Sequence, residues 1–488
     1  MPDSSQTHPP EIPGCARVAE VLSALSFALD LTEGQPPGHA VRSCVIGMRL
    51  AQEMGLPIEA QSDLYYALLM KDAGCSTNAS TMMQMLGSDD LAGKRDALAL
   101  DWTRVGWESI QYALSHVKTG APFLERMRGL FQLALNQKRN ARILNQMRCE
   151  RGASIARRIG LSEAAANAIQ CLNEHWDGLG QPQGLRKEQI PLLSRIMSVA
   201  QTADVFYSRH GNADTAGAIE VVRQRKGRWF DPDTVNAFCS VASRPSLWMD
   251  VACAATRVTE LEPREDILPA DEATLDNICL AFSDVIDAKS PFTYRHSTGV
   301  AGAAVAIAEA LSLSKPEVAT VRRAALLHDI GKLGVPNTIL DKPDKQTKEE
   351  WEVVRKHPYY SHEILRRIPG FADLSEIAAS HHEKLDGSGY FRNMSAADLS
   401  LPARILVVAD IYDALAAKRP YRDALPIEAV LGIISKEVPR ALDATCFEAL
   451  KESAESTGAI SDSLLSPSVH LEKNKIVETA NSPPAGAV

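Results

Sequence analysis

Six of the twelve histidines lie between residues 296 and 382: His296, His328, His357, His362, His381 and His382. Imidazole binds divalent transition metals and moves protons near neutral pH, so the neighbours of each histidine decide its use. His328-Asp329 ends a helix whose inward stripe includes Val321 and Ala325, which puts both polar groups on or beside a buried face, and Gly331 then breaks the helix. Burying an imidazole and a carboxylate without partners is costly. A divalent cation satisfies both, and the two oxygens of an aspartate can bridge two metals. Taken alone, the dipeptide reads better as a satisfied His–Asp hydrogen bond. The surroundings change that weighting. His296 lies one turn before Val300 on an apolar helix face, and His357 follows a helical turn from Trp351 to Val354. His381-His382 follow Ile377 and Ala378 by one turn, and Asp410 ends the apolar run Ile405-Leu406-Val407-Val408-Ala409. Five imidazoles and two carboxylates on five helical segments are the donor set of a dinuclear site in a helical bundle. His362 stands five residues after His357, need not share its face, and is read as solvated.

The elements that must position these residues are helical. The 488 residues carry a net charge of −9 and are 45% hydrophobic, which indicates a globular protein of two to four domains. Apolar-periodic segments alternate with short Gly/Pro breaks, and strand-like alternation is scarce. No apolar run reaches the ~18 residues of a membrane span. Met1–Pro13 lacks the basic and apolar regions of a secretory leader, and the nine scattered cysteines form no CxxC pair. The expectation is a cytoplasmic protein with reduced thiols, no membrane association and, from its acidic balance, no nucleic-acid partner. Residues 1–13 and 455–488 read as disordered ends. The acidic, Pro-containing stretch Glu260–Glu272 sets a boundary near 265, giving domains over 14–262 and 263–454.

The two halves resemble each other. Shifted by 209, residues 155–204 match 364–413 without gaps at fourteen of fifty positions, including Arg157-Arg158-Ile159 with Arg366-Arg367-Ile368. Glu174, Asp177, Gly178, Gly180 and Asp204 fall on Glu383, Asp386, Gly387, Gly389 and Asp413. Upstream the shift becomes 257, which places His39 on His296 and implies an insertion of about 48 residues within 76–148. This is a duplicated domain.

The second half resembles an HD-GYP domain of the HD phosphohydrolase superfamily over about residues 272–450. The resemblance rests on His328-Asp329-Ile330-Gly331-Lys332 and on His381-His382-Glu383-Lys384-Leu385-Asp386-Gly387-Ser388-Gly389-Tyr390. Supporting it, in the same order, are Lys289-Ser290-Pro291, Lys356-His357-Pro358, Ala409-Asp410-Ile411-Tyr412-Asp413 and Arg419-Pro420-Tyr421-Arg422. It implies an all-α chain of two tandem HD-type helical bundles and a bacterial phosphodiesterase that hydrolyses cyclic di-GMP to pGpG or GMP. Carried over, one divalent metal is held by His296, His328, Asp329 and Asp410, and a second by Asp329, His357, His381 and His382. Asp329 bridges, and iron or manganese is the favoured metal. The catalytic residues are then Asp329 and Lys332, with Lys332, Arg419, Arg422 and Tyr390 on the substrate; the two arginines read equally as surface charge. Asp413 is expected to be a structural hydrogen-bonding residue, because the first half keeps it.

Two departures from the family pattern bear on function. Phe292 stands where members with three metals carry glutamate, so two metals are expected. The name-giving proline is Phe391, which frees a fixed φ in a loop that could serve substrate or protein partners. In the first half the metal positions read Lys71, Arg148, Leu172, Asn173 and Gln201, so that copy is expected to be metal-free, with His39 and His175 structural and without partners. Its roles stay open between ligand binding, packing on the other half and dimerisation. Rivals to cyclic di-GMP hydrolysis are cleavage of another nucleotide or cyclic dinucleotide, and a non-catalytic signalling scaffold.

Overall fold

The computed structural model describes residues 16–104, 106–211, 213–263, 267–293, 295–417 and 424–457. Among them the chain is all-α, with only isolated bridges such as Arg17 to Pro269. In chain order the first half has α1 (Val18–Thr32), α2 (His39–Glu53), α3 (Ile58–Met70), α4 (Ala79–Leu86), α5 (Asp90–Ala97), α6 (Trp107–His116) and α7 (Phe123–Ile159). It continues with α8 (Glu163–Gln170), α9 (Leu192–Ser208), α10 (Thr215–Gln224), α11 (Pro232–Ala242), α12 (Pro245–Ala252) and α13 (Ala254–Glu260). The second half has α14 (Glu272–Asp287), α15 (His296–Ala310), α16 (Lys315–Leu327), α17 (Asn337–Leu340), α18 (Lys348–Val354), α19 (His357–Leu365), α20 (Ala372–Ala379), α21 (Leu401–Ala416), α22 (Ile427–Ile434) and α23 (Ala444–Thr457). Helix starts follow local chemistry. Ser314 and Glu317 form a capping box on α16, and Ser400 accepts from the Ala403 amide at 3.4 Å at the start of α21. Pro316, Pro358 and Pro402 sit in first turns, where a missing N–H costs little.

The duplication is physical. α2 packs on α3 and α9 as α15 packs on α16 and α21. At the shift of 257, Asp30 accepts from the Ala40 amide at 3.0 Å and Asp287 from the Ser297 amide at 3.2 Å. At the shift of 209, buried Glu174 takes the amides of Gln183 and Leu185 at 2.6 and 2.9 Å. Glu383 takes those of Arg392 and Met394 at 2.7 and 2.9 Å. A Cβ on Gly74 would lie 1.9 Å from the Arg148 carbonyl oxygen, and one on Gly331 would lie 2.0 Å from that of His357. The sequence reading of Gly331 as a helix breaker is therefore incomplete: its missing side chain lets α19 start against the His-Asp turn.

The expected insertion forms α4, α5, α6 and the outer part of α7, a 37-residue helix about 55 Å long. Buried Asp90 of α5 accepts from Lys289 Nζ at 2.9 Å and from the Asn337 amide at 2.7 Å, tying the insertion to the second half. α1 also packs on α19, and α14 on α7, so one apolar core runs through both halves. α13 ends at Glu260 and α14 begins at Glu272; residue 265, where the boundary is expected, lies outside the described residues. α23 continues to Thr457, three residues into the stretch expected to be tail; the remainder of that stretch and residues 1–13 lie outside the described residues. No described helix is long and apolar enough to cross a membrane, and the eight described cysteines are unbonded.

Candidate metal centre

His296 is the first residue of α15, and His328-Asp329 closes α16. His357 opens α19, His381-His382 follow α20, and Asp410 lies in α21, whose face around it is buried. The packing of these five helices brings the seven residues together. Asp329 is the centre. Its Oδ2 lies 3.3 Å from His328 Nε2 and 3.7 Å from His296 Nε2. Its Oδ1 lies 3.3 Å from His357 Nε2 and 3.5 Å from His381 Nε2. Asp410 Oδ1 stands 3.3 Å from His296 Nε2, while its Oδ2 faces His382 Nδ1 at 3.8 Å. Three overlapping groups of donors result among the described residues of this half, His296/His328/Asp410, His328/Asp329/His381 and His357/His381/His382, each with ligand atoms within 4.8 Å of one another. His362 stands outside these groups, but it is not solvated as expected: it pairs with Glu376 at 2.9 Å and its side chain is only 16% exposed.

Helix ends also fix which nitrogen points inward. The Nδ1–H of His328, His357 and His381 donates to the carbonyl three residues earlier, Ala325, Val354 and Ala378, at 2.7, 2.7 and 2.6 Å. His296 Nδ1 bonds Asp413 at 2.6 Å. Each such bond leaves Nε2 as a lone-pair donor aimed at the centre. Sequence alone hid this device, because an i−3 carbonyl is usable only where the helix is ending. His328 Nε2 and Asp329 Oδ1 are buried with no hydrogen-bond partner, the mark of a site built for a cation. The donor set therefore fits divalent transition metal.

The electrostatics agree. Burial pushes the Asp329 carboxyl up, but His328 and Lys332 outweigh it and hold it well below the carboxylate range. Asp410 is likewise held low against burial by His296 and His328. Burial lowers His357 to about 4 and lowers His381 and His382 too, which keeps the three imidazoles neutral. Burial opposes protonation of His296 as well, but Asp410 and Asp413 raise it to about 10, so there a proton and a cation compete for Nε2.

At the corresponding place in the first half, side-chain cations stand among the acids. Lys71 Nζ donates to His39 Nε2 at 2.8 Å and contacts Asp72, while His39 Nδ1 bonds Asp204 at 2.6 Å. His39 therefore has partners, contrary to the sequence expectation: the lysine that replaces a histidine reaches the nitrogen a metal would use. Arg148 lies 2.7 Å from Asp72 and 3.6 Å from Glu33. Burial works against ionisation of Asp72, but Lys71 and Arg148 hold it at about 2. Glu33, Asp72 and Cys75 cluster within 4.8 Å, yet both carboxylates are committed to Arg148.

The HD-domain family profile matches residues 136–234 and 281–446, which is part of the first copy and most of the second. A 3'3'-cGAMP-specific phosphodiesterase 3 of Vibrio cholerae is 41% identical over 89% of this chain and 94% of its own length. This chain belongs to the HD-GYP phosphodiesterase family. A solved structure of a V. cholerae cyclic GMP-AMP specific phosphodiesterase superposes with a TM-score of 0.62 at 37% identity, covering 91% of this chain and 98% of the other. The cyclic di-GMP phosphodiesterase response regulator RpfG of Xanthomonas campestris is 40% identical over 30% of this chain and 39% of its own. HD-domain phosphohydrolases of this kind are metal-dependent, and the His/Asp clusters supply the donors.

Around the HD-GYP centre, Lys332 Nζ bonds Asp329 Oδ2 at 2.5 Å. The Tyr390 ring lies 4.6 Å from that of His382 and 5.9 Å from that of Trp351. Phe391 adopts φ +95°, which proline cannot reach, so the departure from the motif matches a different loop path. Its ring packs near Tyr359 and His362. Trp351, which sequence reasoning used only as a helix marker, joins this wall; no spacing rule pointed to it. Arg419 and Arg422 lie outside the described residues.

Proposed function

We propose that the second half hydrolyses a cyclic dinucleotide at a dinuclear centre, and that 3'3'-cGAMP is preferred over cyclic di-GMP. The observation that carries the centre is the division of Asp329, with one oxygen facing His296 and His328 and the other facing His357 and His381. His296, His328, Asp329 and Asp410 would hold one metal, and Asp329, His357, His381 and His382 the other, with iron or manganese as occupants. Two bound cations would supply a water activated near neutral pH and offset charge gathering on the phosphoryl oxygens.

The chain's own residues do the rest. The Nδ1–H bonds to helix-end carbonyls hold the imidazoles in place, which lowers the reorganisation needed on binding. Lys332 brings an ammonium to the lip of the site, within reach of a phosphate oxygen. Tyr390, tilted against half-buried His382 with ring centroids 4.6 Å apart, offers a flat surface to a base. Arg419 and Arg422 are proposed for the second phosphate. The preference for cGAMP is supported by likeness over both halves to the cGAMP-specific relative, whereas likeness to the cyclic di-GMP enzymes spans about a third of the chain. Cyclic di-GMP is the second reading on that account. The chain is further read as two HD-type units, 14–262 and 263–454, the first metal-free because Lys71 and Arg148 neutralise its acids.

The test is metal analysis of anaerobically purified protein with turnover of both cyclic dinucleotides, using Asp329→Ala as control. About two metals per chain and faster cGAMP cleavage are expected, with both lost in the variant. Metal without turnover of either nucleotide removes the substrate proposal. Anaerobic protein without metal removes the centre and favours a scaffold.

A further inference from the structure

The insertion roofs a cavity of about 500 Å³ over the place where the first half lost its metal ligands. Its floor includes Arg148, Leu172, Asn173 and Gln201, the positions of four ligands in the other copy. The roof comes from α4, α6 and α7, through Met82, Leu86, Tyr112, Leu130 and Leu144. One wall is aromatic: the His175 ring stacks on Trp229 with centroids 4.0 Å apart, and Trp102 lies 4.9 Å from His175. The volume is that of an ordinary small-molecule site.

Its polar groups narrow the ligand. Asn78 Oδ1, His175 Nδ1 and Gln201 Oε1 belong to lining side chains, are buried, and have no hydrogen-bond partner. Unmet buried polar groups are destabilising, and a donor on a ligand would satisfy them. Charge is already spent. Of the described lining residues, Arg148 is held by Asp72 and Glu33, while Lys94 donates to the Thr32 and Cys75 carbonyls at 3.2 and 2.7 Å. Burial lowers His175 to about 3, so it stays neutral. A cyclic dinucleotide brings two phosphates and would meet no free cation here.

We infer that this cavity binds one uncharged, planar aromatic molecule carrying at least one N–H or O–H donor, which packs against the Trp102/His175/Trp229 wall and donates to Gln201. The lost catalytic pocket has become a site for a ligand chemically unlike the substrate. This inference does not depend on the metal centre of the other half.

Isothermal titration of the full chain with 2-naphthol tests it, with naphthalene-2-sulfonate and cyclic di-GMP as charged comparisons. Saturable binding of about one 2-naphthol per chain is expected, at least about tenfold tighter than the sulfonate and undisturbed by saturating cyclic di-GMP. Ala141→Trp, which fills the cavity from α7, and Gln201→Leu, which removes an acceptor, should each weaken 2-naphthol at least about tenfold while circular dichroism and turnover stay unchanged. If one variant fails to fold, the other carries the comparison. The inference is overturned by absence of saturable binding up to about 1 mM, by equal or tighter binding of the sulfonate, by displacement by cyclic di-GMP, or by unchanged affinity in a folded variant.

Discussion

The repeat offers a matched pair of substitutions, Gly331→Ala and Gly74→Ala, that separates a structural contact from a functional one. Each added Cβ meets backbone and not a yielding side chain: the His357 carbonyl oxygen at 2.0 Å in one copy and the Arg148 carbonyl oxygen at 1.9 Å in the other. Reaching even 3.0 Å requires the two segments to part by about 1 Å. Overpacking of this kind costs about 1–3 kcal/mol, so both variants should lose similar stability. Their chemistry should differ. In Gly331→Ala the segment that moves begins with His357, and metal–ligand distances tolerate only about 0.2 Å. A displacement near 1 Å should empty the His357/His381/His382 side and cut turnover by about 100-fold or more. In Gly74→Ala the moved residue is Arg148, so metal content and turnover should hold. The assay is chemical denaturation with metal analysis and initial rates on each folded variant. Equal metal loss in both, or full metal in Gly331→Ala, would refute the placement of His357 as a ligand set by this contact.

Other expectations follow from single groups. Asp90→Asn leaves buried Lys289 without its carboxylate and should cost about 3–5 kcal/mol, read as a lowered denaturation midpoint; no change would mean the two halves are not tied at this pair. Burial lowers His175 to about 3, below its unfolded value near 6.5, so the unfolded chain binds the extra proton and stability falls as pH drops through that window. The contribution is about 1.4 kcal/mol per pH unit, or about 2 kcal/mol between pH 6.5 and 5, and it should remain as the pH-dependent difference between wild type and His175→Phe, vanishing in the variant itself. Phe391→Pro cannot keep φ +95° and should rearrange the loop, lowering stability by about 3 kcal/mol and raising KM more than it changes metal content. A well-folded variant with unchanged KM would show that the loop path is irrelevant to substrate.

The helical class, the duplication and the seven proposed ligands were legible because they are written in local types and spacing. Asp410 sits in an apolar helical run and His328-Asp329 closes another, and such residues stand out in one dimension. Partners that depend on three dimensions were not legible. That His39 would be bonded to Lys71 needed the packing of α2 on the end of α3, and the cavity needed the insertion to fold back over α9. Gly331 read as a terminator because a glycine after a helix has two explanations, and only the distance to α19 chooses close approach.

The two copies also bear on what holds such a centre together. A carboxylate buried at Asp72 or Asp329 demands positive charge, because an unpaired ion in the interior is far costlier than a neutral core. In the first half the chain provides that charge covalently: Lys71 stands at the position of His328 and Arg148 at that of His357, and both reach Asp72. Two of the five changed positions, Lys71 and Arg148, thus supply the charge that cations would otherwise bring, with Asp72, Gly74, Glu174 and Asp204 kept. The same logic fixes the consequence for reversal. Restoring Lys71→His alone leaves Arg148 on Asp72 and should not create a metal site, whereas Lys71→His with Arg148→His removes both internal cations and should make the fold of the first half depend on added divalent metal. If the double variant folded equally well with and without metal, the charge-replacement account of the lost centre would fail.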